Sequence, residues 1–208
     1  MNENMKKMFE PSEKVQRMYE AVATFVEEER DLSTIKVSEI TSRAGIGKGT
    51  AYEYFTSKEE LLVQATLWLC GRQMGQMTEE ISKIEGFREK FFFLLEWLQE
   101  HKAYNELLIK SIKGGFKGDC EKLKTSVPEE LIMYLRNYIS DQINELFELG
   151  YREGAIKEKN REKRILSFVG TLMQFGFGVM NLEENVAMQM NEKELMEFTY
   201  ECMIKALN

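Results

Sequence analysis

The sequence predicts an all-α protein of about nine helices, short ones first and long ones after. Three observations predict it. Only two prolines, Pro11 and Pro128, interrupt 208 residues, so long stretches stay open to helix. Apolar residues recur at helical spacing in segment after segment, and no stretch of any length alternates as a strand does. The composition, 43% hydrophobic and 30% charged, is that of a folded globular chain with enough length to bury a core.

Taken in order, Val15, Met18, Tyr19, Val22, Phe25 and Val26 form one apolar stripe, with Glu20 and Glu27 to Glu29 off it. This gives an amphipathic first helix from Ser12 to Glu29, with Ser12 as its N-cap. After the turn "RDLSTIK", a short second helix from Val37 to Ala44 holds Val37, Ile40 and Ala44 inward. Gly45 stops it, because glycine takes the left-handed conformation without steric cost. A third short helix, near Lys48 to Phe55, presents Ala51 and Phe55 to the core. Ser57 and Glu60 form an S-x-x-E capping box that opens a fourth.

Longer helices follow, at Phe87 to Glu100 and Ala103 to Lys113, before the break "GGFKGD". Pro128 opens a long helix to about Leu149, with Leu131, Leu135, Tyr138, Ile139, Ile143 and Leu146 on one face. Gly150 and Gly154 turn the chain, and a last helix spans Glu192 to Ala206. Between these lies Ile165 to Leu182, "ILSFVGTLMQFGFGVMNL", which carries no charge. Its length approaches that of a bilayer span. Ser167, Thr171, Gln174, Asn181 and three glycines dilute its apolarity, so a helix buried by protein is the expectation and a membrane is not.

The net charge of −7 excludes a chain coated in basic surface, but not a local basic patch. Cys70, Cys120 and Cys202 lack metal-ligand or redox spacing and read as reduced, packed thiols. The N-terminus has no apolar run of the secretory type, so a cytoplasmic protein is expected. No metal or cofactor is called for. His101, the single histidine, reads as an exposed helix-end residue. Neither H-E-x-x-H nor G-x-S-x-G occurs, so no enzyme is indicated.

The informative stretch is "RAGIGKGTAYEYFTSKEEL", Arg43 to Leu61. A nucleotide cradle would need G-x-x-x-x-G-K-[ST] after a strand. Here Gly49 follows Lys48, Ser42 stands at the leading-glycine position, and a helix precedes. Two short helices joined by a glycine turn are instead the unit whose second helix enters the major groove of DNA N-terminus first. Lys48, Gly49 and Thr50 stand at that end. Gly49 lets backbone approach DNA, and Lys48 reaches a guanine edge or a phosphate. Tyr52 and Tyr54 offer phenolic donors to phosphate, and Lys58 lies in a helix first turn that already favours anions. From Lys36 to Lys58 four basic residues (Lys36, Arg43, Lys48, Lys58) face two acidic ones (Glu39, Glu53). Lys36, Ser38, Lys48, Gly49, Thr50, Tyr52, Tyr54 and Lys58 are the candidate DNA-binding residues.

The run "VSEITSRAGIGKGTAYEYFTSKEELL" resembles the DNA-binding domain of the tetracycline-repressor-like (TetR) transcriptional regulators. Ile40, Ala44, Gly45, Ile46, Gly49, Thr50, Tyr52, Tyr54, Phe55, Lys58, Glu59 and Leu61 fall in register with its pattern. Three departures stand out. Lys36 replaces the usual Thr or Ser cap, at a cost of about 1 kcal/mol; Gly47 replaces the common Ser cap of the third helix; Ala51 and Glu53 replace a larger apolar residue and a variable one.

The resemblance implies a helix-turn-helix domain over residues 1–57 and a helical ligand-binding and dimerisation domain over 58–208. It also implies a homodimer on a palindromic double-stranded operator, with a small apolar or aromatic effector that releases it, most often as a repressor. A ligand-responsive activator of the same fold and a helical scaffold protein are the alternatives. Trp68, Trp97, Tyr104, Met133, Tyr134 and Phe175 are the candidate pocket residues, although such a stripe is more often plain core. Phe168, Leu172, Gly176, Val179, Phe198 and Cys202 are the candidate dimer contacts, the alternative being a helix wholly internal to one subunit.

Overall fold

The computed structural model describes residues 10–103, 129–183 and 190–208. Among them are eight helices and no strand: α1 (Glu13–Glu27), α2 (Val37–Arg43), α3 (Lys48–Tyr54), α4 (Lys58–Ser82), α5 (Phe87–Glu100), α6 (Glu129–Arg152), α7 (Arg161–Glu183) and α8 (Glu192–Ala206). The all-α class is therefore as expected. The helix expected at Ala103 to Lys113, the "GGFKGD" break, Cys120 and Tyr104 lie outside the described residues, as do the side chains of Leu131, Tyr134 and Leu135. No helix of the described residues is long and apolar enough to cross a membrane. The described residues fall into two compact units, the first built on the chain up to Gln76 and the second on Met77–Glu100 and Tyr134–Asn208.

In the first unit the α1 stripe supplies the core. Met18, Tyr19, Val22 and Phe25 are almost fully buried, together with Ile35, Ile40, Leu61, Leu62 and Leu69. Ser12 stands at the N-cap position of α1, but its side chain makes no cap bond. The helix also ends two residues short of the expected Glu29. The Arg30 N–H reaches the Phe25 carbonyl at 3.0 Å and the Glu29 N–H reaches Val26 at 2.9 Å, the paired bonds of a Schellman motif. Glu29 takes the left-handed position with φ 54°. The same motif ends α2, where Ile46 N–H bonds Thr41 and Gly45 has φ 66°. Lys36 offers α2 no side-chain cap. The Glu39 carboxylate supplies the other half of the box by accepting the Lys36 N–H at 2.9 Å. That bond, with Arg30 beside it, holds the Glu39 carboxyl below its usual range. Cys70, on α4, is buried, and burial pushes its thiol up to about 12, which keeps it unreactive.

The second unit packs α5, α7 and α8 around Phe87, Phe91, Phe147, Phe168, Phe175 and Met203. Phe168 meets Phe91 and Phe147 edge-on, with ring centroids 6.3 and 5.9 Å apart, a favoured aromatic geometry. Glu153 caps α5 by accepting the Phe87 N–H at 2.9 Å. Asn191 and Glu194 close a reciprocal capping box on α8, at 3.0 and 2.8 Å. Two glycines permit close packing: a Cβ at Gly150 would lie 2.8 Å from the Phe87 ring, and one at Gly178 would lie 2.6 Å from Leu195. Arg164, buried in α7, is satisfied by the Glu158 carbonyl and the Glu148 carboxylate.

Candidate nucleic-acid interface

The α2–turn–α3 segment is built to present one helix end outward. Ile40 and Thr41 seat α2 in the core, and Gly45 reverses the chain. Ala51 is the one buried residue of α3, and Phe55, just past its end, packs its ring 6.1 Å from that of Tyr19. With Ala51 and Phe55 facing in, Lys48, Gly49, Tyr52 and Glu53 face solvent. Tyr52 is 51% and Tyr54 42% exposed, unusual for residues that bury profitable apolar area.

Each candidate residue can now be placed. Lys36, Ser38, Lys48, Gly49, Tyr52 and Tyr54 are exposed, and Thr50 is half-buried. Lys36 and Lys48 make no side-chain bond among the described residues. Lys58 is half-buried, and its ammonium donates to the Ser33 carbonyl at 2.6 Å, tying the start of α4 to the loop before α2. Gly47, at the N-cap of α3, has no side chain to cap with, and a Cβ there would meet only the Thr50 hydroxyl at 4.0 Å. Gly49 has nothing within 4 Å of an added Cβ. Nothing inside the described protein therefore requires glycine at that position.

The local charge is smaller than the composition suggests. The Arg43 guanidinium lies 4.0 Å over the Phe25 ring and donates to Thr24 and to Glu28, both at 2.7 Å. Arg30 lies 4.8 Å from the same ring and pairs with Glu39 at 2.9 Å. Phe25, Arg30, Glu39 and Arg43, with Ser38 and Ser42, line an open cleft of about 440 Å³. Sequence reasoning missed one cation, Arg17. It is exposed on α1, and its guanidinium is 4.0 Å from where a Gly45 Cβ would sit, so it overhangs the turn. Its position off the apolar stripe of α1 was the available signal.

Residues 21–65 match the profile of the bacterial regulatory proteins of the tetR family. That segment of the chain is similar to the TetR family. The match covers the whole of α2 and α3, and it agrees with the geometry just described. No curated protein matches the sequence. Among solved structures, the chain resembles a TetR-family protein from Vibrio parahaemolyticus at TM-score 0.61 and 18% identity, over 93% of this chain and 98% of that one. It also resembles the transcriptional regulator FadR from Bacillus subtilis, solved with stearoyl-CoA, at 0.58 and 20%, over 93% and 97%. The fatty acid degradation regulator FadR from Bacillus halodurans gives 0.58 and 20%, over 94% and 95%. At such identities these likenesses show the fold alone.

Beyond the α2–α3 segment, the chain distributes the other candidates differently from their grouping in sequence. Trp68 is buried in the first unit, its ring 5.6 Å from Tyr19 and 4.9 Å from the Arg72 guanidinium, so it is core. Trp97 stacks on Phe93 at 5.7 Å, Phe175 belongs to the core of the second unit, and Met133 is exposed. On α7, Phe168 and Val179 are buried and Leu172 half-buried, all facing their own unit, while Gly176 is exposed. On α8, Phe198 is exposed and Cys202 half-buried, its sulfur accepting from Gln174 at 3.8 Å. The outward face of α7 is instead carried by Leu166 (73% exposed), Val169, Met173 (72%) and Phe177 (70%).

Proposed function

We propose that this chain is a TetR-like regulator that binds a palindromic operator as a homodimer and is released by an apolar effector, acting as a cytoplasmic repressor. The observation that carries the DNA reading is the outward N-terminal end of α3, where Lys48 makes no bond among the described residues and Gly49 is glycine without an internal reason. Lys48, Gly49 and Thr50 read base edges, while Arg17, Lys36, Ser38, Tyr52 and Tyr54 meet phosphates. Lys58, held to the Ser33 carbonyl, adds its charge beside the free N–H groups of α4.

One such segment makes few contacts, so specific binding needs two, on half-sites about 34–36 Å apart. The Leu166–Val169–Met173–Phe177 face supports self-association, because a second copy is a partner of matching apolar chemistry and Gly170 and Gly176 have open space in front of them. Phe198 on α8 extends the exposed apolar surface of the unit. For the effector, the FadR relative solved with stearoyl-CoA makes a long-chain acyl-CoA the first ligand to assay. Thirteen methionines suit a pliable apolar site.

The test is selection of bound fragments from genomic duplexes, followed by titration of the recovered site across salt concentrations. A palindromic site whose affinity falls steeply with salt supports the reading. Recovery of no preferred sequence, or a Lys48→Ala variant with unchanged affinity and salt slope, refutes it.

A further inference from the structure

We propose that Tyr19, Gln64 and Glu60 form a hydrogen-bonded relay that positions the α3 helix on DNA. The proposal rests on the DNA reading above. Helix α3 has only seven residues, far below the length at which a helix stands alone. With Ala51 its one buried residue, its pose depends on how its two ends are held. The Gly45 turn holds the leading end. The trailing end runs into Phe55 and Thr56, and there the structure concentrates its bonds.

The Thr56 N–H and hydroxyl both donate to one oxygen of the Glu60 carboxylate, each at 2.6 Å. The other oxygen accepts from the Gln64 amide at 3.1 Å. The Gln64 carbonyl oxygen in turn accepts from the Tyr19 hydroxyl at 3.1 Å. A carboxylate only accepts, so chemistry fixes the direction of each bond: the amide nitrogen must face Glu60, and the hydroxyl must donate. Tyr19 is 1% exposed, and its hydroxyl needs a partner. Its ring also packs against Phe55 and Trp68, at 6.1 and 5.6 Å. Burial first, and the Glu60 charge second, raise the Tyr19 phenol well above its usual range, so it remains a donor. The relay thus joins α1, the first two turns of α4 and Thr56, two residues past the end of α3. Ser57 Oγ caps Glu60 N–H at 3.0 Å and fixes the start of α4 at the same place.

The roles are those of positioning residues, since none of the three faces the groove. The test uses the full-length protein and the operator selected by the parent. Glu60→Ala is expected to weaken operator binding about tenfold, and Tyr19→Phe or Gln64→Leu several-fold, with the salt slope unchanged because no phosphate contact is lost. Glu60→Gln is expected to bind within about twofold of the parent. Its amide oxygen still accepts from Thr56 and its NH2 donates to Gln64, whose own amide turns over to face the Tyr19 oxygen. In the free protein, hydrogen exchange at the Ala51 to Phe55 amides should rise in Glu60→Ala and Tyr19→Phe but not in Glu60→Gln. Parent-like affinity in Tyr19→Phe and Gln64→Leu overturns the relay, and these two variants carry the test should Glu60→Ala fail to fold. A Glu60→Gln variant as weak as Glu60→Ala also overturns it, since the charge at the start of α4 would then be what matters. Exchange that rises as expected while the parent binds no duplex would uphold the brace and refute the DNA reading instead.

Discussion

Glu29 occupies the position that Gly45 and Gly154 occupy at two other helix ends. All three have positive φ and close the same paired bonds. A Cβ in this region costs roughly 1–2 kcal/mol, and the extra unfolded-state freedom of glycine returns part of that. Glu29→Gly is therefore expected to stabilise the protein by about 0.5–1 kcal/mol, read as a rise of about 2 °C in a thermal melt. Gly49 presents the opposite case. It sits inside a helix, where glycine costs up to about 1 kcal/mol relative to alanine, and an added methyl meets nothing. Gly49→Ala should raise the melting temperature while weakening operator binding on the order of tenfold, because the methyl intrudes where backbone approaches the groove. Unchanged affinity together with higher stability would remove Gly49 from the interface. The two ends of α1 also show what residue types hide. Ser12 looked like a cap and does not bond as one, and Glu29 carries no mark of a helix end because glycine, the usual signal, is absent.

At the scale of helices, periodicity made α1 to α3 legible nearly to the residue, since one face is apolar and the other charged. The same rule loses its power on α7. Its middle carries no charge, so apolar residues cover more than one face and spacing alone does not say which face turns inward. The structure assigns Phe168, Phe175 and Val179 to the inner face and Leu166, Val169, Met173 and Phe177 to the outer one. Gly178 likewise closes against Leu195 of its own chain, whereas Gly170 and Gly176 stay open. Charge counting failed for a related reason. Arg43 counts as basic in sequence, but its guanidinium is occupied by Phe25, Thr24 and Glu28, which lie 15 to 19 positions away in the chain. Met173→Glu tests the assignment of faces. Placed at the centre of the outer face, a carboxylate would be desolvated on pairing at a cost of several kcal/mol. The variant should keep its helical circular dichroism, sediment as a monomer at micromolar concentration, and lose cooperative operator binding. A dimer that persists would move the self-association surface elsewhere.

For the whole molecule, the acidic balance has a consequence for control. With a formal net charge of −7, the overall charge of the chain opposes approach to DNA, and exposed cations such as Arg17, Lys36 and Lys48 favour it locally. Binding is then a small difference between local attraction and general repulsion, which a modest loss of geometric fit tips over. An effector needs only a differential affinity for the state that fits the operator poorly. Linkage makes this quantitative, because whatever factor the effector takes from operator affinity, the operator must take from effector affinity. If a long-chain acyl-CoA lowers operator affinity about a hundredfold, calorimetry should show it binding the operator-bound protein about a hundredfold more weakly than the free protein. Both titrations must be made at one salt concentration, since counterion release would otherwise contribute to one and not the other. Equal acyl-CoA affinity in the two forms would mean that this ligand is not the releasing signal, however tightly it binds.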